Sequence, residues 1–153
     1  MLLHGGCKSV FFSPGLGNTG LMRKFGVEEE LLLIDAATGV LAPVADDLLR
    51  TRAKAGSLVP GDAVSSDGPA GTMTHELKQE QVELVSAPYD DLSALMAAIA
   101  QGRMEADRLA STLGTRAVAM GTYPMRAASR LVRSPRFAAM EKRYGITLKE
   151  QLT

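Results

Sequence analysis

Lys24-Phe25-Gly26-Val27-Glu28-Glu29-Glu30-Leu31-Leu32-Leu33-Ile34 is the stretch that decides how this chain folds. Three consecutive carboxylates run into four consecutive large apolar residues. Read as a strand, alternate side chains point to opposite faces. Glu28 and Glu30 then share one face and Glu29 takes the other. Two carboxylates side by side on a sheet repel unless a positive charge sits between them. A hard divalent cation answers that need, because Mg²⁺ is held by oxygen ligands, often together with substrate phosphates. The bland alternative is a row of solvated surface acids.

The rest of the chain supports an ordinary globular domain. It has 153 residues, 46% of them apolar and 22% charged, enough for one domain with its own core. Seventeen Lys and Arg balance seventeen Asp and Glu. That balance leaves no electrostatic footprint for nucleic acid or an anionic membrane. Cys7 is the single cysteine, so no intrachain disulfide forms. No apolar run approaches the roughly 20 residues that span a bilayer. Residues 1 to 12 do not read as a signal peptide, being interrupted by His4, Gly5, Gly6 and Lys8. A cytoplasmic protein is the expectation.

Residues 1 to 21 read as a flexible leader, Gly-rich and without a periodic apolar face, and Met22 could itself be the natural start. Gly15-x-Gly17-x-x-Gly20 matches a dinucleotide-binding pattern. The pattern works only after a strand and at the opening of a helix, and neither is expected there. Residues 22 to 153 read as the domain proper. Phe25 to Ile34 is the first strand, Asp35 to Gly39 a turn with Gly39 free to take a positive φ, and Val40 to Ala42 a short returning strand. Asp46 to Ala55 reads as a helix closed by Gly56, and Gly56 to Gly71 as a mobile loop. Thr74 to Ser86 reads as one strand, although its Gln79-Glu80-Gln81 centre also suits a helix. Asp90 to Leu113 is the clearest helix, with Asp90 as N-cap and Gly114 as stop. Arg116 to Thr122 reads as a third strand. Pro135 opens a short helix that ends at Gly145, and Thr147 begins another segment. This order favours an α+β fold with helices on one face of the sheet.

Glu76 and Glu83 form a second acidic pair. Seven apart, they face opposite sides of a regular strand, and a break at Gln79 to Gln81 would realign them. Glu83 sits among Val82, Leu84 and Val85, where a buried carboxylate must pair or bind metal. His75 and the run Arg126, Arg130, Arg133 and Arg136 read better as satisfied or solvated groups than as ligands. Met96, Met104, Met120 and Met140 read as core filler.

Taken together, Gly26-Val27-Glu28-Glu29-Glu30-Leu31-Leu32-Leu33, Glu83-Leu84-Val85-Ser86-Ala87-Pro88, the long helix with Arg103, and Gly121-Thr122-Tyr123-Pro124 resemble a known family. They look like the N-terminal part of the carboxylate–amine ligases of glutamate–cysteine ligase type 2, over about residues 22 to 153. The resemblance implies a glutamine synthetase-like fold, a curved and mostly antiparallel sheet whose concave face holds ATP and Mg²⁺ or Mn²⁺. It implies an ATP-dependent reaction joining glutamate or a related carboxylate to cysteine or another amine through an acyl phosphate. Glu28, Glu30 and Glu83 then look like metal-binding carboxylates, Glu76 occupies the place of a further acidic ligand, and Glu29 points away as a structural residue. No catalytic or nucleotide-binding side chain is assigned by it. Tyr123 stands where the family commonly has His. The family also continues for roughly as much chain again, so the chain reads as a fragment that is inactive alone. The rival expectation is a non-catalytic module that self-associates as a homo-oligomer through an exposed sheet edge.

Overall fold

The extended reading of residues 25–34 holds, with Val27, Glu29, Leu31 and Leu33 on one face of a strand. The computed structural model describes residues 7–13, 24–57, 71–126 and 130–150. In chain order the elements are β1 (Cys7–Ser13), β2 (Lys24–Asp35), α1 (Ala45–Ser57), β3 (Thr72–His75), β4 (Gln81–Val85), α2 (Leu92–Ser111), β5 (Thr115–Val118) and α3 (Pro135–Glu150). All strand pairings among them are antiparallel. The fold is α+β, as expected.

β2 is the central strand. Residues 28–32 pair with β4, and β3 pairs with β4 beyond it. Glu28 and Glu29 also pair with β1, and Leu32 also pairs with β5. β1 and β5 therefore lie end to end along the edge of β2 opposite β4. Leu31, Leu33, Met73, Val82 and Leu84 turn to one face and build the main core with Ala45 and Leu48 of α1 and Ala106, Leu109 and Ala110 of α2. Both helices thus cover the same face of the sheet. Burying each large aliphatic side chain contributes about 1.5–3 kcal/mol, so this layer supplies most of the driving force. On the other face Leu32, Leu41 and Tyr123 form a smaller cluster.

Local chemistry sets the element ends. Asp35 Oδ1 accepts from Thr38 Oγ1 and Thr38 N at 2.7 Å each, closing the turn after β2, and Gly39 takes φ +70°. The Thr38 hydroxyl holds the Asp35 carboxyl below its ordinary pKa. Asp107 on α2 accepts two bonds from Arg116 at 2.7 Å and one from Ala117 N, fastening β5 to the helix. The Arg116 contact lowers the pKa of Asp107.

Several boundaries differ from expectation. A strand, β1, lies inside the segment read as a leader, because β2 offers its N-terminal half as a pairing edge. The Gly15 to Gly20 pattern and residues 58–70 lie outside the described residues. Residues 74 to 86 are not one strand. They are a hairpin, β3 and β4, turning at Leu77 to Glu80. Val40 to Ala42 makes only an isolated bridge between Leu41 and Ile34. α1 runs through Gly56 to Ser57. The N-cap of α2 is Asp91, whose side chain accepts from Ala94 N at 2.7 Å. Asp90 is displaced from that role because Tyr89 is held extended by two backbone bonds of 2.8 Å to Phe25. β5 ends at Val118. α3 breaks at Tyr144 (φ −131°, ψ 19°), one residue before the expected stop. Met96, Met104 and Met120 are exposed instead of filling the core.

Gly71 enters β3 with φ +76°, and a Cβ there would lie 2.1 Å from the carbonyl oxygen of Val85. Gly71→Ala adds left-handed strain and a backbone clash. We expect it to destabilise the domain by about 2–4 kcal/mol, read as a lower urea midpoint. An unchanged midpoint would contradict the close approach of the two strands.

Candidate functional site

The pleat sorts the acids. Glu29 opposes Leu84 on the helix-covered face, while Glu28 opposes Val85 and Glu30 opposes Glu83 on the other. Glu28, Glu30 and Glu83 therefore share the face away from α1 and α2. Thr74 of β3 stands opposite Glu83 on that face. Glu76 directly follows β3, and continuing the β3–β4 register by one step sets it against Gln81, on the same side. The hairpin, in place of a break within a single strand, is what carries the chain from Glu76 back to Glu83.

Glu28 and Glu30 are two residues apart, so their Cα atoms are roughly 7 Å from each other. Directly opposed side chains such as Glu30 and Glu83 have Cβ atoms about 4.5–5.5 Å apart, where like charges repel. Glu30 Oε1 is shielded from solvent. Carboxylate oxygens are the donors a hard cation takes, so these residues suit Mg²⁺ or Mn²⁺ in kind and in the face they share. They do not form a finished coordination sphere. Among the described residues, no group of three or more His, Cys, Asp and Glu side chains converges as a metal-ligand set.

Glu29 is 6% exposed, too deep for an uncompensated charge. Arg103 of α2 meets it with both arms of its guanidinium, Nε donating to Oε2 at 2.8 Å and Nη2 to Oε1. His75 lies on the helix side, its Nε2 2.7 Å from Asp46 Oδ1, and Gln79 Nε2 donates to Asp46 Oδ2 at 2.9 Å. It is a satisfied histidine remote from the carboxylate face. Tyr123 is 5% exposed and donates to the Gly39 carbonyl at 3.0 Å, anchoring the small cluster around Leu32. Arg126, Arg130, Arg133 and Arg136 are all exposed.

The residues that sequence reasoning missed lie in the hairpin turn. Lys78 is 2% and Glu80 1% exposed, and Gln79 is buried between them. Glu80 accepts from the backbone N–H of Arg130 through both oxygens, at 3.0 and 3.2 Å. Gln79 donates its N–H to the Arg130 carbonyl and accepts from Ala45 N, so the turn joins residues 130–132 to the start of α1. Nothing in the local sequence marks these charges as buried, because segments from elsewhere in the chain cover them.

An α+β domain with acids on the face of an antiparallel sheet away from α1 and α2 is the class this geometry defines. The sequence model of glutamate–cysteine ligase family 2 matches residues 24–153, and the chain belongs to that family. Two Paenarthrobacter aurescens (strain TC1) proteins carry the names "Putative glutamate--cysteine ligase 2-3" and "2-1". They are 38% and 36% identical over 132 residues, 86% of this chain and 28% and 33% of their own lengths. A Streptomyces avermitilis relative of the same name as the second is 34% identical over 132 residues, again 86% of this chain and 33% of its own length. The chain thus spans about a third or less of the relatives it matches. No solved structure matches it. Among the described residues, no helix is long and apolar enough to cross a membrane.

Burial pushes the Glu80 carboxyl above its ordinary pKa, against the smaller opposing effect of the Arg130 N–H. A raised folded-state value means that the folded protein takes up this proton at a higher pH than the unfolded chain does. The stability linked to Glu80 is then fully present below its unfolded pKa and is lost as pH rises through the folded one. Glu80→Gln keeps an acceptor for Arg130 and removes the charge. Urea titrations between about pH 4 and pH 7 should show the variant gaining on the wild type as pH rises. A constant difference across that range would refute the assignment.

Proposed function

We propose that this domain forms part of an ATP-dependent carboxylate–amine ligase of glutamate–cysteine ligase type, built on a glutamine synthetase-like fold with a curved sheet. The observation that carries the reading is the shared face of Glu28, Glu30 and Glu83 in a chain of this family. In the reaction, a carboxylate oxygen of glutamate or a related acid attacks the γ-phosphorus of ATP. ADP leaves and an acyl phosphate forms. The amine of cysteine or another acceptor then attacks the acyl carbon, and phosphate departs as the amide bond closes, with a proton released from the nitrogen.

Glu28, Glu30 and Glu83 are the residues that would hold Mg²⁺ or Mn²⁺ on the sheet, with Glu76 as a further donor. Bound there, the cation would neutralise the phosphates and the charge that develops during transfer. Glu28 and Glu30 contribute a fixed spacing along one strand, and Glu83 reaches in from the neighbouring strand. The covered face beneath them keeps the strands from rolling. The greater length of the relatives leaves room for the groups that hold the adenine and the triphosphate.

The test uses protein expressed across its whole reading frame. ADP release should depend on both glutamate and cysteine. Glu28→Gln should reduce it at least about 100-fold with unchanged circular dichroism, since a lost metal ligand removes most of the electrostatic stabilisation. Normal turnover by Glu28→Gln would overturn the carboxylate assignment. ADP release indifferent to any carboxylate or amine would overturn the ligase reading.

A further inference from the structure

Glu29 is the one acid of the triplet that the catalytic reading leaves unused, yet it is the most deeply buried of the three and is gripped by Arg103 through both oxygens. Its neighbours on both sides, Glu28 and Glu30, point to the opposite face. Whatever fixes the roll of the strand at Glu29 therefore fixes the direction of the two flanking carboxylates. Arg103 does so with a planar fork that matches both carboxylate oxygens, and such a pair constrains orientation as well as distance. The fork reaches Glu29 from α2, whose buried small residues Ala98, Gly102 and Ala106 form its sheet-facing side. A cavity of about 10 Å³, room for a single water, lies beside Glu29 between the helix and the strands, bounded by Val27, Leu84, Ser86 and Ile99 among others.

We propose that Arg103 is a positioning residue for the carboxylate face, acting through Glu29 to aim Glu28 and Glu30. The proposal rests on the reading of that face as a cation site. Half of the Arg103 side chain is exposed. Its cation is thus partly hydrated while the carboxylate it grips is dry, and charge alone does not set its value to the site. Geometry does: a lysine can neutralise Glu29 but cannot span both oxygens.

The experiment measures Mn²⁺ affinity by electron paramagnetic resonance, without ATP, together with hydrogen exchange at residues 28–31 and the thermal midpoint. It uses protein expressed across its whole reading frame. Arg103→Lys should keep the charge and nearly all of the thermal midpoint. It should weaken Mn²⁺ binding about tenfold or more, as loss of groups that orient metal ligands does, and speed exchange in residues 28–31. Glu29→Gln, which preserves volume, serves as the companion variant if Arg103→Lys misfolds, and should weaken Mn²⁺ binding likewise. Wild-type affinity in a folded variant, with unchanged exchange, overturns the positioning role and leaves the cation site standing. A wild type that binds no Mn²⁺ overturns the cation reading, and the positioning role falls with it.

Discussion

The pleat of β2 is the constraint on which the rest depends. Once residues 24–35 are extended, each side chain is committed to a face, and a shift of one residue would exchange the two sets completely. Leu31 and Leu33 demand cover, and α1 and α2 provide it. The same alternation carries Glu29 into that dry layer and leaves Glu28 and Glu30 outside it. The acids lock the register, since Leu31 to Ile34 is apolar on both faces: a slip would bury Glu28 and Glu30 beneath the helices and take Glu29 away from Arg103. Arg103 adds a chemical lock to the steric one, since it satisfies an acid at one position only.

A second organising element is the turn at Leu77 to Glu80. The carbonyl of Glu80 accepts from Leu33 N, and the carbonyl of Gln79 accepts from Ala45 N. On its other side the Gln79 N–H donates to the Arg130 carbonyl, and Val132 N donates to the Leu77 carbonyl. Four residues thus link the central strand, the first helix and the segment before α3. A buried polar junction of this kind is favourable only when its groups find partners. That requirement explains why a hairpin turn here is dry instead of solvated.

Much of the frame was legible in the sequence because it rests on local chemistry. β2, α2, the Gly39 and Gly114 stops and the break near Gly145 follow from periodicity and from residues with special backbone freedom. The shared face of Glu28 and Glu30, and the separation of Glu29, follow from the period of two alone. What could not be read depends on contacts between distant segments. The opposition of Glu30 to Glu83 requires the register of two strands 53 residues apart. The hairpin looked like one strand because Lys78, Gln79 and Glu80 carry no turn signature, and their burial comes from residues 130–132 and α1. Arg103 was visible as a helix residue, but its carboxylate partner was not, being 74 residues away.

The long separations also matter while the chain is being made. Ile34 finds its sheet partner at Arg116, 82 residues later. At about 5–20 residues per second, a ribosome takes about 4–16 s to deliver that partner. Until β4 emerges both edges of Leu31 to Ile34 are open, and until β5 emerges one edge still is, so a short run of high β-propensity is exposed to pairing with another chain. It emerges bracketed by charge, Glu28 to Glu30 on one side and Asp35 on the other. Charges flanking an unavoidable apolar strand act as gatekeepers against intermolecular pairing. The acidic triplet therefore protects the nascent chain before any sheet exists for it to decorate.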